Sequence, residues 1–282
     1  MSIIIRDEQQ VQSTIASMQR GWADKLHILA DFDRTLTKGF YEWRAISSIA
    51  SFLYEDGTMP WEYQEQGKKL FDHYYPIEVD HTIDEATKRH AMEQWRDEHL
   101  KLMVQYKLSR DDIDHVASHK ELQLRDRTLE FFSLLAAKKI PTIIMSASGI
   151  GYDSIGLFLE KQWVPQTYIE VLSNAFIRDD DGYAIWRKDP VIHSMNKSEI
   201  AIQGFPIVYT KIAERKNVIL LWDSLHDIEM IDWFDYTACI KIWFCNDSKK
   251  EVQDLFIQTY DVVISDDGDM SYLIEVLNQI LQ

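Results

Sequence analysis

The stretch Leu26–Thr37, LHILADFDRTLT, decides the fold. A short, mostly apolar run leads straight into an acidic loop holding Asp31, Asp33 and Thr35. An apolar run of that length, closed by a loop signal, reads as a buried strand. Carboxylates at the end of such a strand face the crevice where open α/β sheets bind ligands. Two carboxylates this close repel each other unless a cation lies between them or one keeps a proton. Mg²⁺ suits the arrangement, because it takes oxygen ligands and is held by one or two carboxylates with phosphate and water.

Similar runs recur downstream: IPTIIMSAS (140–148), TYIEVLSN (167–174), NVILLWDS (217–224), TACIKIWF (237–244) and DVVIS (261–265). Helix-like segments lie near 151–161, 196–215, 225–232, 248–257 and 270–281. Buried strands alternating with helices predict an α/β core, a Rossmann-like doubly wound parallel sheet with helices on both faces. Residues 175–188 read as a hairpin turning at DDDG (179–182).

Residues 39–118 differ: they are helix-like, rich in Trp, Tyr, Glu and Lys, with no convincing buried strand. Residues 84–106 form the clearest helix, with Ala91, Trp95, Leu102 and Tyr106 toward one side. Thr82 and Glu85 resemble a capping box at its start. The expected organisation is a core of 1–38 and 119–282 with a helical insertion at 39–118. Of the insertion's aromatics (Phe40, Tyr41, Trp43, Trp61, Tyr63, Tyr74, Tyr75, Trp95), most are expected to be buried, leaving one or two to stack on a ligand.

Forty-six acidic against thirty basic residues give a net charge of −16. That balance disfavours a nucleic-acid polymer as partner, since phosphate binding needs basic surface. It does not disfavour a small phosphorylated metabolite, whose site is governed by local charge and a metal. No apolar window is long enough for a membrane helix. The start, MSIIIRDEQQVQS, lacks the basic and long apolar regions of a signal peptide. The expectation is a cytoplasmic chain with no membrane association, and its acidity permits a monomer. Cys239 and Cys245, six apart in one run, would share a strand face and read as core thiols.

Three more signals follow. In NVILLWDSLHD (217–227) another apolar run ends in acid, Asp223, with Asp227 four residues on. Both could approach one cation, although acids at a helix start are favoured by the dipole in any case. Ser146 closes the run at 140–146, where a hydroxyl followed by helix-start amides can hold a phosphate oxygen. Lys197 supplies an ammonium.

The order Asp31/Asp33/Thr35, Ser146, Lys197, Asp223/Asp227 resembles the four motifs of haloacid dehalogenase-like phosphatases, and the insertion resembles their C1-type helical cap. The segments YYPIEVD (74–80), MEQWRDEH (92–99), MSASGIGYDSI (145–155), SNAFIRDDDG (173–182), VIHSMNK (191–197) and VILLWDSLHDIEM (218–230) look like the cytosolic pyrimidine 5′-nucleotidase family, nucleotidase III type. The resemblance implies a Mg²⁺-dependent phosphatase acting on nucleoside 5′-monophosphates. In it Asp31 would be the nucleophile and form an aspartyl-phosphate, and Asp33 the general acid and base. Asp31, the Asp33 carbonyl and Asp223 would hold Mg²⁺. Ser146, Ala147 and Lys197 would bind phosphate, Thr35 would support the first loop, and Asp227 would position Lys197 or metal-bound water. Glu78 of YYPIE would contact the base, with Trp95, Glu98 and Ser148 as further substrate contacts.

This chain departs from the family at Trp222 and His226, where glycines are usual, at Gln94 and Glu98 in the cap helix, and at Ser148, an apparent insertion in the phosphate loop. These departures keep open a phosphatase of the same fold acting on a phosphoamino acid or sugar phosphate. A catalytically silent binding protein is the rival of another class. Trp222 is expected to be absorbed by the core.

Overall fold

The computed structural model describes residues 2–54, 58–80, 82–197, 204–224, 231, 234–246 and 257–282. Its centre is a seven-stranded sheet in the order β1-β11-β10-β9-β2-β5-β6. The strands are β1 (Ile3–Ile5), β2 (Leu26–Ala30), β5 (Thr142–Met145), β6 (Ile169–Leu172), β9 (Asn217–Trp222), β10 (Ala238–Cys245) and β11 (Val262–Ser265). All the pairings are parallel except β1 with β11. The sheet is therefore α/β as expected, with an antiparallel edge strand that the sequence did not signal. IleIleIle at 3–5 is too short to show a period, yet it pairs Ile3 with Ile264 and Ile5 with Val262.

Strands β2 and β9 are buried at every position, as parallel strands covered on both faces must be. One face packs in a large apolar cluster with Ile28, Leu221 and Phe244. The other packs with Leu29, Leu220 and Trp222. Trp222 is fully buried there, edge-on to Tyr260 at 5.4 Å between ring centroids. The core has thus absorbed it. Cys239 and Cys245 both face that second cluster, and burial pushes the Cys239 pKa up to about 12.

The chain leaves β2 and returns at β5 through a short hairpin, β3 (Phe40–Tyr41) with β4 (Arg44–Ala45), and then helical segments. A 3₁₀ turn at Ile49–Tyr54 precedes α2 (Trp61–Val79), α3 (Glu85–Gln105) and α4 (Arg110–Ala117). The hairpin is a second element without a sequence signal. Helix α3 begins where expected, but Asp84 caps it by accepting from Thr87 N, whereas Thr82 bonds Asp80. The aromatics of this region run against expectation. Tyr63 and Tyr74 are buried, but Phe40, Trp43, Trp61 and Tyr75 are exposed, Trp43 at 88%. The small helical layer buries Ile49, Phe52, Leu53, Leu100 and Met103 instead.

Helix α5 (Thr128–Ala137) precedes β5, and α6 (Gly151–Lys161) follows the loop after it. The hairpin β7 (Phe176–Arg178) with β8 (Ala184–Arg187) forms around Gly182, whose φ of 88° only glycine adopts freely. Helices α7 (Pro206–Ile212) and α8 (Ser271–Ile280) complete the described elements. The expected helices near 225–232 and 248–257 lie almost wholly outside the described residues. No described helix is long and apolar enough to cross a membrane.

Candidate active site

The chain adds β5 and β6 on one side of β2, then crosses to add β9 on the other. Such a reversal opens a crevice at the carboxyl ends of the flanking strands. Asp31, Ser146 and Asp223 each follow directly on one of the three neighbours β2, β5 and β9. The register aligns them: Ala30 pairs with Ile144 on one side and Leu221 on the other.

Asp31 is buried, and its amide donates to Leu221 O at 2.9 Å. Lys197, equally buried, donates from Nζ to Asp31 Oδ1 at 2.6 Å. Asp33 lies one turn on, and its Oδ1 accepts from Ile49 N at 2.6 Å. The bond ties the loop after β2 to the helical layer. Burial raises the Asp33 pKa from about 4 to about 7, and the nearby Asp223 charge adds to the rise. The Ile49 bond and the charges of Lys197 and Arg96 act in the opposite sense. Asp33 is therefore poised to hold or release a proton near neutrality.

Asp223 Oδ2 lies 3.4 Å from Arg34 Nε and 3.5 Å from Asn246 Nδ2. Asp227 and His226 lie outside the described residues. Among the described residues no three His, Cys, Asp or Glu side chains converge as a metal cluster. The donors that fit a hard cation are instead the Asp31 and Asp223 carboxylates and the Asp33 main-chain carbonyl. The Asp223–Asp33 repulsion felt in the Asp33 pKa is the stress a cation there relieves.

The phosphate-type loop, SASG (146–149), is held from behind. Ser173 Oγ donates to Ser146 O at 2.8 Å. Asn174 Nδ2 donates to Ala147 O, Ser148 O and Ile192 O at 3.3, 3.1 and 2.9 Å. Because the peptide unit is planar, tying back the Ser146 carbonyl turns the Ala147 amide the other way. Ser146 Oγ accepts from Ser148 N at 3.1 Å, and Ser148 Oγ is buried with no hydrogen-bond partner. Gly151, where α6 starts, admits no side chain: a Cβ there would lie 1.9 Å from Ser173 Oγ.

The Thr35 hydroxyl is buried and unpartnered, so the loop after β2 is held by other groups. Thr37 Oγ1 accepts from Arg34 N at 2.8 Å. Arg125, wholly buried, donates to Thr35 O at 2.8 Å, Gly268 O at 2.8 Å, Asp267 Oδ1 at 3.0 Å and Asn246 Oδ1 at 3.0 Å, and also to Arg34 O. Its guanidinium lies 4.1 Å from the Phe244 ring centroid.

In the helical layer Glu78, near the end of α2, accepts from Ser194 Oγ at 2.9 Å. This joins α2 to the loop carrying Lys197. Trp95 stacks on Tyr74 at 6.0 Å, and Glu98 is exposed and accepts from Tyr74 OH at 3.1 Å. The structure thus brings Asp31, Asp33, Ser146, Lys197 and Asp223 together and places Glu78 beside them. Trp95 and Glu98 lie about 100° and 200° round α3 from Arg96, the residue aimed at the crevice. Arg96 and Arg125 carried no sequence signal, since an arginine on a helix or loop reads as solvated charge. A separate cleft of about 550 Å³, lined by Lys38, His119, Lys120, Asp126 and Lys161, contains none of these groups.

A family model described as pyrimidine 5′-nucleotidase (UMPH-1) matches residues 34–281. The human protein named 7-methylguanosine phosphate-specific 5′-nucleotidase is 30% identical, with 100% of this chain and 92% of that protein covered. The crystal structure of cytosolic 5′-nucleotidase IIIB bound to cytidine superposes with a TM-score of 0.89 at 29% identity, covering 99% of this chain and 93% of that one. A phosphoserine phosphatase in apo form shares the fold, with a TM-score of 0.53 at 16% identity over 89% of this chain and 98% of that one. With the acidic strand ends at the switch point and these matches over nearly its whole length, the chain belongs to the pyrimidine 5′-nucleotidase family of haloacid dehalogenase-like phosphatases, which are phosphoric monoester hydrolases.

Proposed function

We propose that the protein is a Mg²⁺-dependent phosphatase of nucleoside 5′-monophosphates working through an aspartyl-phosphate on Asp31. The observation that carries the reading is the buried Asp31–Lys197 pair beside a carboxyl, Asp33, with a pKa near 7. Asp31 Oδ attacks phosphorus and the bond to the ribose 5′-oxygen breaks, while Asp33 gives its proton to that oxygen. Asp33 then takes a proton from the water that hydrolyses the acyl-phosphate. Lys197, Ser146 and the Ala147 amide hold phosphate oxygens, where electrostatic stabilisation dominates such transfers. Asp31, Asp223 and the Asp33 carbonyl would hold Mg²⁺, which would supply the charge that offsets repulsion between carboxylate and phosphate. Asp227 would position Lys197 or a metal-bound water, and Thr35, whose hydroxyl is unpartnered, is a further candidate contact for the phosphate.

Residues 39–118 act as a cap over the nucleoside, with Glu78 facing the base. Trp95, Glu98 and Ser148 are further substrate contacts in this reading. A base with delocalised positive charge suits a carboxylate at Glu78. The names of the human and other relatives therefore put 7-methyl-GMP at the head of the candidates, followed by CMP, the nucleotide of the cytidine bound in the neighbouring structure. A cytoplasmic location is part of the same reading, supported by kinship with a nucleotidase named cytosolic.

The test is phosphate release from 7-methyl-GMP, CMP, UMP, AMP, GMP, phosphoserine and sugar phosphates, with Mg²⁺ or EDTA. Mg²⁺-dependent preference for a nucleoside monophosphate is expected. Turnover confined to phosphoserine or sugar phosphates would overturn the substrate class while keeping the fold.

A further inference from the structure

Arg96 stands in the middle of α3 with its side chain turned into the junction between the helical layer and the sheet. Its charge acts on Asp33, Glu78, Tyr54 and Tyr63. It also reaches the phosphate-type loop: a Cβ built on Gly149 would lie 3.5 Å from Arg96 Nη1. Nε is buried with no hydrogen-bond partner, and no carboxylate oxygen among the described residues forms an ion pair with Arg96. The Glu78 and Asp33 charges act on Arg96, but neither carboxylate is hydrogen-bonded to it. Tyr54 and Tyr63 spend their hydroxyls on His99 Nε2, at 2.5 and 3.1 Å. Glu78 accepts from Ser194.

Arg96 is half-buried, yet its Nε is shut off from water and unbonded, which is costly because burial removes hydration that only an acceptor replaces. Arginine's planar fork fits two oxygens of a phosphate at once. The nearest backbone is the 146–149 loop, and Ser148 Oγ on that loop is a second buried donor with no partner. Two unclaimed donors on opposite sides of one crevice, one from each layer, describe a missing anion.

We infer that Arg96 is a substrate-binding residue, donating from the helical layer to the non-bridging oxygens of the phosphate that Ser146 and Lys197 hold from the sheet, with Ser148 Oγ as its partner on the loop. The inference rests on the phosphatase reading of the crevice but not on which leaving group is cleaved.

The experiment separates phosphate from nucleoside. Inhibition constants for inorganic phosphate and for the uncharged nucleosides cytidine and 7-methylguanosine are measured on wild type, Arg96→Met, Arg96→Lys and Ser148→Ala, with p-nitrophenyl phosphate as a substrate that needs no base. Thermal midpoints with and without phosphate are recorded alongside. Loss of a charge-assisted contact predicts phosphate inhibition weakened about 10- to 100-fold in Arg96→Met, less in Arg96→Lys, with nucleoside inhibition unchanged. The thermal midpoint of Arg96→Met without phosphate should be equal to or above that of wild type, and phosphate should raise it less. Equal weakening for nucleoside and phosphate, or a phosphate constant that does not move, would overturn the inference. Wild type that cleaves p-nitrophenyl phosphate but no nucleoside monophosphate would sink the nucleotidase reading and leave the Arg96 comparison standing.

Discussion

Lys197 Nζ and Asp31 Oδ1 sit 2.6 Å apart, 166 residues distant in sequence and both buried. Each charge is tolerable only because of the other. Removing one partner of a buried pair costs about 3–5 kcal/mol, since the survivor is stranded, whereas replacing both by apolar groups of similar volume is often neutral. Lys197→Met should therefore lower stability by an amount in that range. The double variant Asp31→Leu/Lys197→Met should recover most of it. Both should lack turnover, and urea unfolding with phosphate release reads the two effects apart.

Asp33 carries its own pH signature. Its folded pKa, about 7, lies above its unfolded value of about 4, so the native state holds the proton more tightly. Stability from this group is present below pH 4 and falls as pH rises from 4 to 7. Asp33→Asn keeps the neutral form at all pH values. In EDTA its thermal midpoint should exceed that of wild type at pH 8, by about 2–4 °C for each kcal/mol relieved, and match it near pH 4. A wild-type midpoint equal to the variant's at pH 8 would refute the shift.

The fold is acid-labile for a different reason. Burial holds His27 at a pKa of about 4, His99 at about 3 and His193 at about 4. Unfolded histidines take protons from pH 6.5 downward while these cannot, so stability drops as pH falls from 6.5 toward 4. His99 also accepts or shares bonds with Tyr54 and Tyr63. His99→Phe should be less stable than wild type at pH 8, with a shallower loss between pH 6.5 and 4 in denaturant melts.

Arg125 clamps the loop that follows β2 onto the loops after β10 and β11. Its donors reach Thr35 O, Gly268 O, Asp267 and Asn246, and Asn246 in turn donates to Arg34 O and Asp223. Arg125→Met strands five acceptors around the loop after β2 and should lower both kcat and the thermal midpoint. Arg125→Lys, a point charge in place of a fork, should rescue little. Wild-type kcat in a folded Arg125→Lys would show that the fork geometry is unnecessary.

How much of this was legible follows from the range of the signals. Asp31, Ser146 and Asp223 announce themselves because each ends a local apolar run, and a parallel sheet must bring such ends to one rim. Lys197 became readable through the order of motifs. Arg96 and Arg125 were silent: their partners are distant in sequence, Asp267 lying 142 residues from Arg125, and nothing local distinguishes them from solvated arginines. The strand at Ile3–Ile5 was silent because three residues carry no period. The exposed Trp43 and Trp61 ran against the expectation of a packed cap, since aliphatic residues of the 3₁₀ turn and α3 fill the space that the indoles were expected to occupy.

Phosphorylation of Asp31 during turnover is the step on which the proposed chemistry turns. Wild type and Asp31→Asn would be mixed with ³²P-labelled 7-methyl-GMP or CMP and Mg²⁺, quenched in acid within one turnover, and digested for peptide mapping. A hydroxylamine-labile label is expected on the peptide holding Asp31, in wild type alone. Full phosphate release with no label on that peptide, or undiminished turnover in Asp31→Asn, would contradict it.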